Sequence, residues 1–434
     1  MPIFSRFATP LGRAVYWISM AVVTLLTLTA LATLAEPALA SGAPWHHPYP
    51  GGSSNCSSSA LAEFALGKVL NDGAPVFGVY ADVQDTTSTW MKAYADNTLI
   101  VHMNLPGTHD ADTWNYSTAT QQSLDHVTQL ANITEYNVAA YRCQDLSMLT
   151  MLNDGIRVFD LRYAFDVTNT TLVFWHGPGL VSETATVDDV LYGFYRWLDD
   201  HPSEALFLSF QYEGSTTPYG RNDAGVQLQL FNTLTTPAAR QYFLQTTGSI
   251  GTLGEARGKI TLLKRFDEDM LPAYYTNALP GIHFSPLNWT DNSPNITLVY
   301  NSSTGGTAYI EDYYQPLTPA NSTAEENIEW KLNATEAHIT MAATTHPNEL
   351  FWSFASSTNL VNNPPITPAI QALGNGSLTP GGGVNQRLVP FLEGMKGKRL
   401  GIVMFDFYEQ PAELLPLFLS LLPANGSRGV AGGY

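Results

Sequence analysis

Eight short runs rich in β-branched and aromatic residues punctuate the chain between Leu99 and Phe405, and they limit its fold more than any other feature. They are Leu99–Met103, Ile156–Leu161, Thr171–Trp175, Ala205–Phe210, Ile260–Leu263, Ala308–Glu311, Leu350–Phe354 and Gly401–Phe405. Most are continuously apolar rather than alternating, as strands covered on both faces are. Helical periodicity is legible between some of them. Gln144 to Asn153 carries Leu146, Leu149 and Leu152 on one face and is closed by Gly155. Val187 to Asp200 carries Val187, Val190, Leu191, Phe194 and Leu198 and ends at His201-Pro202. Strand and helix alternating eight times predict an α/β fold, a closed parallel (β/α)8 TIM barrel. Residues 98–425 suffice for it. Residues 41–97 read as a leader and cap and 426–434 as a tail, and no linker marks a second domain.

The start of the chain reads as an export signal. Arg6 and Arg13 precede an apolar run from Tyr16 to Leu34, and Ala38-Leu39-Ala40 offers a small-x-small cleavage site. Residues 1–40 are therefore expected to be removed and the protein secreted. An uncleaved membrane anchor is the alternative, since the run is nearly long enough to span. Eleven Asn-x-Ser/Thr acceptors fit a glycosylated protein: Asn55, Asn115, Asn132, Asn169, Asn288, Asn295, Asn301, Asn321, Asn333, Asn375 and Asn425. Sugars would also account for solubility when charged residues are only 13% of the chain, about half the ~25% usual for soluble domains.

With 38 acidic and 20 basic residues the net charge is −18. That excludes binding to a nucleic-acid backbone by charge. An anionic membrane would also repel the chain unless local basic or aromatic patches act against the mean field. The only cysteines, Cys56 and Cys143, are expected to form one disulfide in an oxidising compartment. The alternative is a nucleophilic thiol. No Cys-x-x-Cys pair exists, so a thiolate metal site is excluded as well.

Catalytic groups of such barrels lie at the C-terminal ends of strands. Here those ends carry His109-Asp110, Asp160-Leu-Arg162, His176-Gly-Pro-Gly179, Lys264-Arg265, Glu311-Asp312-Tyr-Tyr314 and Asp406. Two histidines, flanking carboxylates and an arginine at one barrel mouth can work on a phosphate diester. One imidazole takes a proton, the other gives one, and the guanidinium stabilises charge on phosphorus. The remaining histidines, His46 and His47 included, read as structural or solvated.

Leu105-Pro-Gly-Thr-His-Asp110, Gly155-Ile-Arg-Val-Phe-Asp-Leu-Arg162, Trp175-His-Gly-Pro178 and His201-Pro-Ser-Glu-Ala-Leu-Phe-Leu-Ser-Phe210 occur in an order that resembles phosphatidylinositol-specific phospholipase C. Gly258–Phe266 and Met404–Phe407 extend the likeness over roughly residues 98–410, and the secreted bacterial type is the nearer match. The resemblance implies a phosphodiesterase that makes diacylglycerol and a cyclic inositol phosphate. It casts His109 as general base, oriented by Asp406, and His176 as general acid, partnered by Asp110. It makes Arg162 the phosphate-binding arginine with Asp160 beside it. Arg265, Asp312 and Tyr314 fall where inositol-contacting groups belong, and Gln211-Tyr212 replaces an expected lysine. That replacement leaves the head-group preference open.

Animal-type relatives bind calcium through carboxylates at the positions that Arg162 and Gln211 take here. The resemblance therefore implies no metal and no cofactor, because a guanidinium does the cation's work. The expected partner is a phospholipid at a membrane surface, met transiently by a monomer. Two alternatives remain: a metal-dependent barrel diesterase of the glycerophosphodiester or sphingomyelinase D type, and a non-catalytic surface protein on the same barrel. No Gly-x-Ser-x-Gly elbow, P-loop or His-Glu-x-x-His points to other chemistry.

Overall fold

The computed structural model describes residues 57–128, 137–213 and 221–422. The export signal, Cys56 and the tail lie outside them. Among the described residues eleven strands form one sheet system: β1 Asn104–Thr108, β2 Val158–Phe165, β3 Leu172–His176, β4 Gly179–Leu180, β5 Ala205–Tyr212, β6 Lys259–Arg265, β7 Ile282–His283, β8 Ser293–Asn301, β9 Gly306–Asp312, β10 Leu350–Phe354 and β11 Gly401–Phe405. Strands β1, β2, β5, β6, β7, β9, β10 and β11 run parallel in the order β7-β6-β5-β2-β1-β11-β10-β9. No ladder among the described residues joins β7 to β8 or β9, so the eight-stranded TIM-like barrel is nearly closed rather than closed.

Two expected strands need correction. The first begins at Asn104, because residues 100–102 form a single tight helical turn. Leu-Pro-Gly-Thr is itself the strand. At Gly107 a Cβ would collide with the Met404 sulfur and come within 2.9 Å of Val158, so β1 passes its neighbours at a distance only glycine allows. The run near Thr171–Trp175 is β3, which turns back antiparallel on β2 instead of joining the barrel. The six residues between them are too few for a parallel crossover. The short β7 takes the vacant place in the barrel, while β8 folds antiparallel onto β9 at the margin.

The helices follow their sequence signals closely. The helix Val187–Asp200 has the expected bounds and a reciprocal Thr186–Asp189 cap. The helix Met148–Asp154 starts later than the periodicity suggests, at an N-cap Ser147, and stops at Gly155 with φ 116°, as its glycine predicts. An N-terminal helix, Ser57–Phe77, packs on Val187–Asp200 through an edge-to-face contact of Phe77 with Phe194 at 5.1 Å. Among the described residues no helix is long and apolar enough to cross a membrane.

Alternation along the strands builds the interior. Leu105, Val158, Phe207, Leu263, Ile310, Trp352 and Met404 belong to one buried cluster that fills the barrel. Two to four residues further along the same strands, the same period of two carries Asp160, Arg162, Gln211, Arg265, Asp312 and Asp406 to the mouth. Arg157 and Glu204, both fully buried and 2.7 Å apart, seal the opposite end.

Candidate active site

Each of the two central strands delivers its chemistry in the first residue beyond its end. His109 follows β1, and Asp406 follows β11. The backbone N–H of His109 donates to the Phe405 carbonyl, which fixes the two ends side by side. Asp406 Oδ1 then lies 2.9 Å from His109 Nδ1. Behind each, the chain turns through a left-handed residue, Asp110 at φ 41° and Phe407 at φ 46°. Aspartate tolerates that conformation, and it swings the Asp110 carboxylate under the site.

Asp110 is the hub. Its Oδ2 lies 3.2 Å from His109 Nε2 and 2.8 Å from His176 Nε2, and its Oδ1 lies 3.0 Å from Arg162 Nε. His176, the last residue of β3, donates from Nδ1 to the Tyr141 carbonyl at 2.6 Å. The two imidazoles stand edge to face with ring centres 6.2 Å apart. Arg162 also donates from Nε and Nη2 to Asp160 Oδ2 at 3.0 Å, and from Nη1 to Glu213 Oε2 at 3.0 Å. The other oxygen of Glu213 accepts from the Gly177 N–H at 2.8 Å, tying the arginine to the loop that follows His176.

These contacts set the protonation states. Burial works against charge on His109, but Asp110 and Asp406 outweigh it and raise its pKa to about 9. His176 shows the same opposition, with Asp110 again the main partner, and is also raised. Burial alone would push Asp110 up, yet Arg162 and the two imidazoles hold it well below the usual carboxylate range. Asp406 is raised, because burial exceeds the help it gets from His109. Both nitrogens of each imidazole face acceptors, an arrangement that favours the cationic form of each ring.

A cavity of about 640 Å³ opens over this cluster. Its wall includes His109, Arg162, His176, Gln211, Arg265, Asp312, Tyr314 and Asp406, so every substrate-contacting residue expected from the sequence reaches it. Asp110 and Asp160 lie fully buried behind the wall. Arg265 Nη2 stands 3.3 Å from Asp312 Oδ2 and Nη1 3.7 Å from Asp160 Oδ1, and the guanidinium lies 3.9 Å from the centre of the Trp289 ring. The Trp289 indole N–H donates to the same Asp312 oxygen at 2.7 Å, and Tyr314 donates its hydroxyl to Asp291 at 2.8 Å. The amide oxygen of Gln211 points inward without a partner.

Sequence reasoning missed Glu213, Tyr141, Trp289 and Asp291. Glu213 follows the end of β5, so the strand-end rule would have found it had Gln211-Tyr212 been read one residue further. The other three stand on irregular segments. Cys143 is a free thiol, enclosed beside Asp110 with its Sγ 3.8 Å from Oδ2. The expected bridge is therefore not seen at Cys143, and its proposed partner Cys56 is not among the described residues.

No family model matches the chain. The 1-phosphatidylinositol phosphodiesterase of Staphylococcus aureus strain Newman is 23% identical over 290 residues, which is 66% of this chain and 84% of that protein. The Listeria monocytogenes protein of that name is 26% identical over 181 residues, 41% of this chain and 49% of its own length. Among solved structures, a phosphatidylinositol-specific phospholipase C from S. aureus superposes with a TM-score of 0.56 at 16% identity, covering 78% of this chain and 97% of that one. The L. monocytogenes enzyme superposes with a TM-score of 0.52 at 21% identity, covering 77% and 97%. The chain is thus a distant relative of these phosphodiesterases in sequence and shares the barrel fold of the solved phosphatidylinositol-specific phospholipases C.

Proposed function

We propose that the protein is a phosphodiesterase that cleaves phosphatidylinositol, or the inositol phosphodiester of a glycosyl-phosphatidylinositol anchor, to a diacylglycerol and inositol 1,2-cyclic phosphate. One observation carries the reading: two imidazoles, His109 held at Nδ1 by Asp406 and His176 held at Nδ1 by the Tyr141 carbonyl, line one cavity with the Arg162 guanidinium and share Asp110 at Nε2.

In the working form His109 is neutral, with its remaining proton on Nδ1 toward Asp406, and His176 is cationic. Nε2 of His109 takes the proton of the inositol 2-hydroxyl as that oxygen bonds to phosphorus. The bond from phosphorus to the diacylglycerol oxygen breaks, and His176 Nε2 gives its proton to that oxygen. The attacking group and the phosphorus are in one molecule, so little freedom is lost on the way. Arg162 has five N–H groups. Its contacts to Asp110, Asp160 and Glu213 leave one on each terminal nitrogen for the phosphoryl oxygens. Those carboxylates already neutralise a cation, which supports chemistry without a metal at this spot.

Export is part of the same proposal. It is supported by the N-terminal signal pattern and by the exposure of six of the eight acceptor asparagines among the described residues: Asn169, Asn288, Asn295, Asn321, Asn333 and Asn375.

Phosphorus NMR of phosphatidylinositol treated with the purified protein in EDTA tests the activity. A cyclic phosphate signal that disappears in His109→Ala and His176→Ala is the expected result. Turnover that needs added magnesium or calcium would favour the metal-dependent diesterase, and no product at all would favour the binding protein.

A further inference from the structure

The phosphodiester reaction makes no use of Cys143, yet its thiol stands inside the catalytic ring. Sγ, a carboxylate oxygen of Asp110 and a ring nitrogen of His176 all lie within 4.8 Å of one another. Two of the edges are known: 2.8 Å between Asp110 Oδ2 and His176 Nε2, and 3.8 Å between Asp110 Oδ2 and Cys143 Sγ. A tetrahedral zinc ion with its usual bond lengths sets neighbouring ligand atoms about 3.3–3.6 Å apart. The edges bracket that spacing, so small side-chain shifts close the triangle around an ion.

A second feature points the same way. Asp112, two residues beyond Asp110, is fully buried and neither of its carboxylate oxygens has a hydrogen-bond partner. Such orphans are rare in folded proteins and call for a reason. Its neighbour Thr113 accepts from the Cys143 N–H at 3.0 Å, so it lies beside the same pocket, where burial and the Asp110 charge push its carboxyl well above the usual range. Asp406, whose Oδ2 is also buried and unpartnered, forms another such trio with Cys143 and His109. The thiol is thus flanked by ligand groups on both sides.

We propose that Cys143, Asp110 and His176 form a binding site for a thiophilic divalent cation of the zinc class, and that occupancy switches the enzyme off. A thiol, an imidazole and a carboxylate select zinc or its soft relatives over magnesium and calcium. Binding forms bonds from the ion to Sγ, Nε2 and Oδ2. It releases one proton from Sγ and one from Nε2 to solvent, while Asp110 is already ionised. His176 then has no proton to donate to a leaving oxygen. The sequence excludes a thiolate site only as far as such sites are read from local Cys-x-x-Cys spacing. Here three separate segments supply the ligands: the turn after β1, the stretch before the helix Met148–Asp154, and the end of β3.

The site itself stands on geometry alone, whereas its inhibitory effect rests on the proposed function. Both are tested by adding cobalt(II) or zinc chloride to the full-length, metal-free protein. Cobalt is expected to give a thiolate-to-metal charge-transfer band in the near ultraviolet at one equivalent. Zinc is expected to displace it and to inhibit phosphatidylinositol cleavage. Cys143→Ser and Cys143→Ala should lose the band and bind zinc about tenfold more weakly or worse, and their turnover should lose its zinc sensitivity. No band from the wild-type protein overturns the proposal, whether the thiol is inaccessible or bridged to Cys56. So does equal zinc inhibition of wild type and Cys143→Ala. A band from a protein without phosphodiesterase activity supports the site and counts against the proposed function instead.

Discussion

Asp406 and His109 meet across the seam between β11 and β1, Oδ1 to Nδ1 at 2.9 Å, each in the first position after its strand. Two buried carboxamides hold that meeting from behind. Gln144 Nε2 donates to the carbonyls of His109 and Phe405 at 2.8 and 2.9 Å. Asn385 Nδ2 donates to the carbonyls of Asp406, Phe407 and Gln410 at 2.9–3.1 Å. The orientation of the proposed base is thus fixed in the backbone before any substrate arrives, which is what preorganised catalysis requires.

Substituting Asp406→Asn removes the anion but keeps the shape. The expected loss in kcat is about 10²- to 10⁴-fold, the usual worth of general acid–base catalysis. The pH profile gives the sharper check. His109 acts only when neutral, and its pKa is raised to about 9 by Asp110 and Asp406 against burial. Wild-type kcat/KM should therefore rise with pH toward about 9 on its acid limb. Without the Asp406 charge the imidazolium is less stable, so that limb should move to lower pH in Asp406→Asn. An acid limb that stays in place would separate His109 from Asp406 in function.

Glu213 links two parts of the candidate site, Arg162 through Oε2 and the Gly177 N–H through Oε1. In Glu213→Gln one end becomes an amide N–H that faces either a guanidinium or a backbone donor. Losing a hydrogen bond to a charged group costs about 1.5–3 kcal/mol, equivalent to roughly ten- to a hundredfold in rate. The loss should fall on kcat, with circular dichroism unchanged. A variant with wild-type kcat would leave Glu213 a purely structural link.

These two residues show what the sequence could carry. His109, Asp110, Arg162, His176 and Asp406 were readable because strand ends at a barrel mouth concentrate chemistry and because their motifs are distinctive. The location of β1 was not readable. Apolar Leu99–Met103 outscores a segment containing proline and glycine, and only the close passage of Gly107 between Val158 and Met404 explains why Asn104–Thr108 is the strand. The reversal of β3 was present in the six-residue spacing but hidden by its apolar content. Tyr141 serves His176 through a carbonyl that any residue possesses, so no side-chain pattern could reveal it.

Glu204→Gln tests the far end of the barrel. Arg157 and Glu204 are both fully buried, and the guanidinium also donates to the carbonyls of Leu152, Ile156 and Ser88 at 2.8–2.9 Å. Removing the anion leaves a buried cation whose remaining partners carry no charge. Breaking such a pair costs about 3–5 kcal/mol, a large part of the 5–15 kcal/mol typical of a folded domain. Urea unfolding should show that loss while the pH profile of the remaining activity keeps its wild-type shape. A change below about 1 kcal/mol would mean that the network relaxes around the substitution.

Docking on lipid offers the last test, because charge and apolar surface make opposite demands. At a net charge of −18 the chain should be repelled by phosphatidylinositol vesicles, and salt screens such repulsion within about 8–10 Å. Attraction has to come from elsewhere. Met270, Leu287, Leu317 and Val361 are 51%, 87%, 65% and 80% exposed on the loops that follow β6, β7, β9 and β10, at the end of the barrel where the cavity opens. Burying one such side chain fully is worth about 1.5–3 kcal/mol, so partial insertion of several suffices for transient binding. Vesicle binding measured by sedimentation should hold steady or strengthen from low to physiological salt. Leu287→Ser and Val361→Ser should each weaken it about fivefold, with turnover of a soluble inositol phosphodiester unaffected. Binding that falls steadily as salt rises would instead require a basic docking patch, which the composition of this chain makes hard to supply.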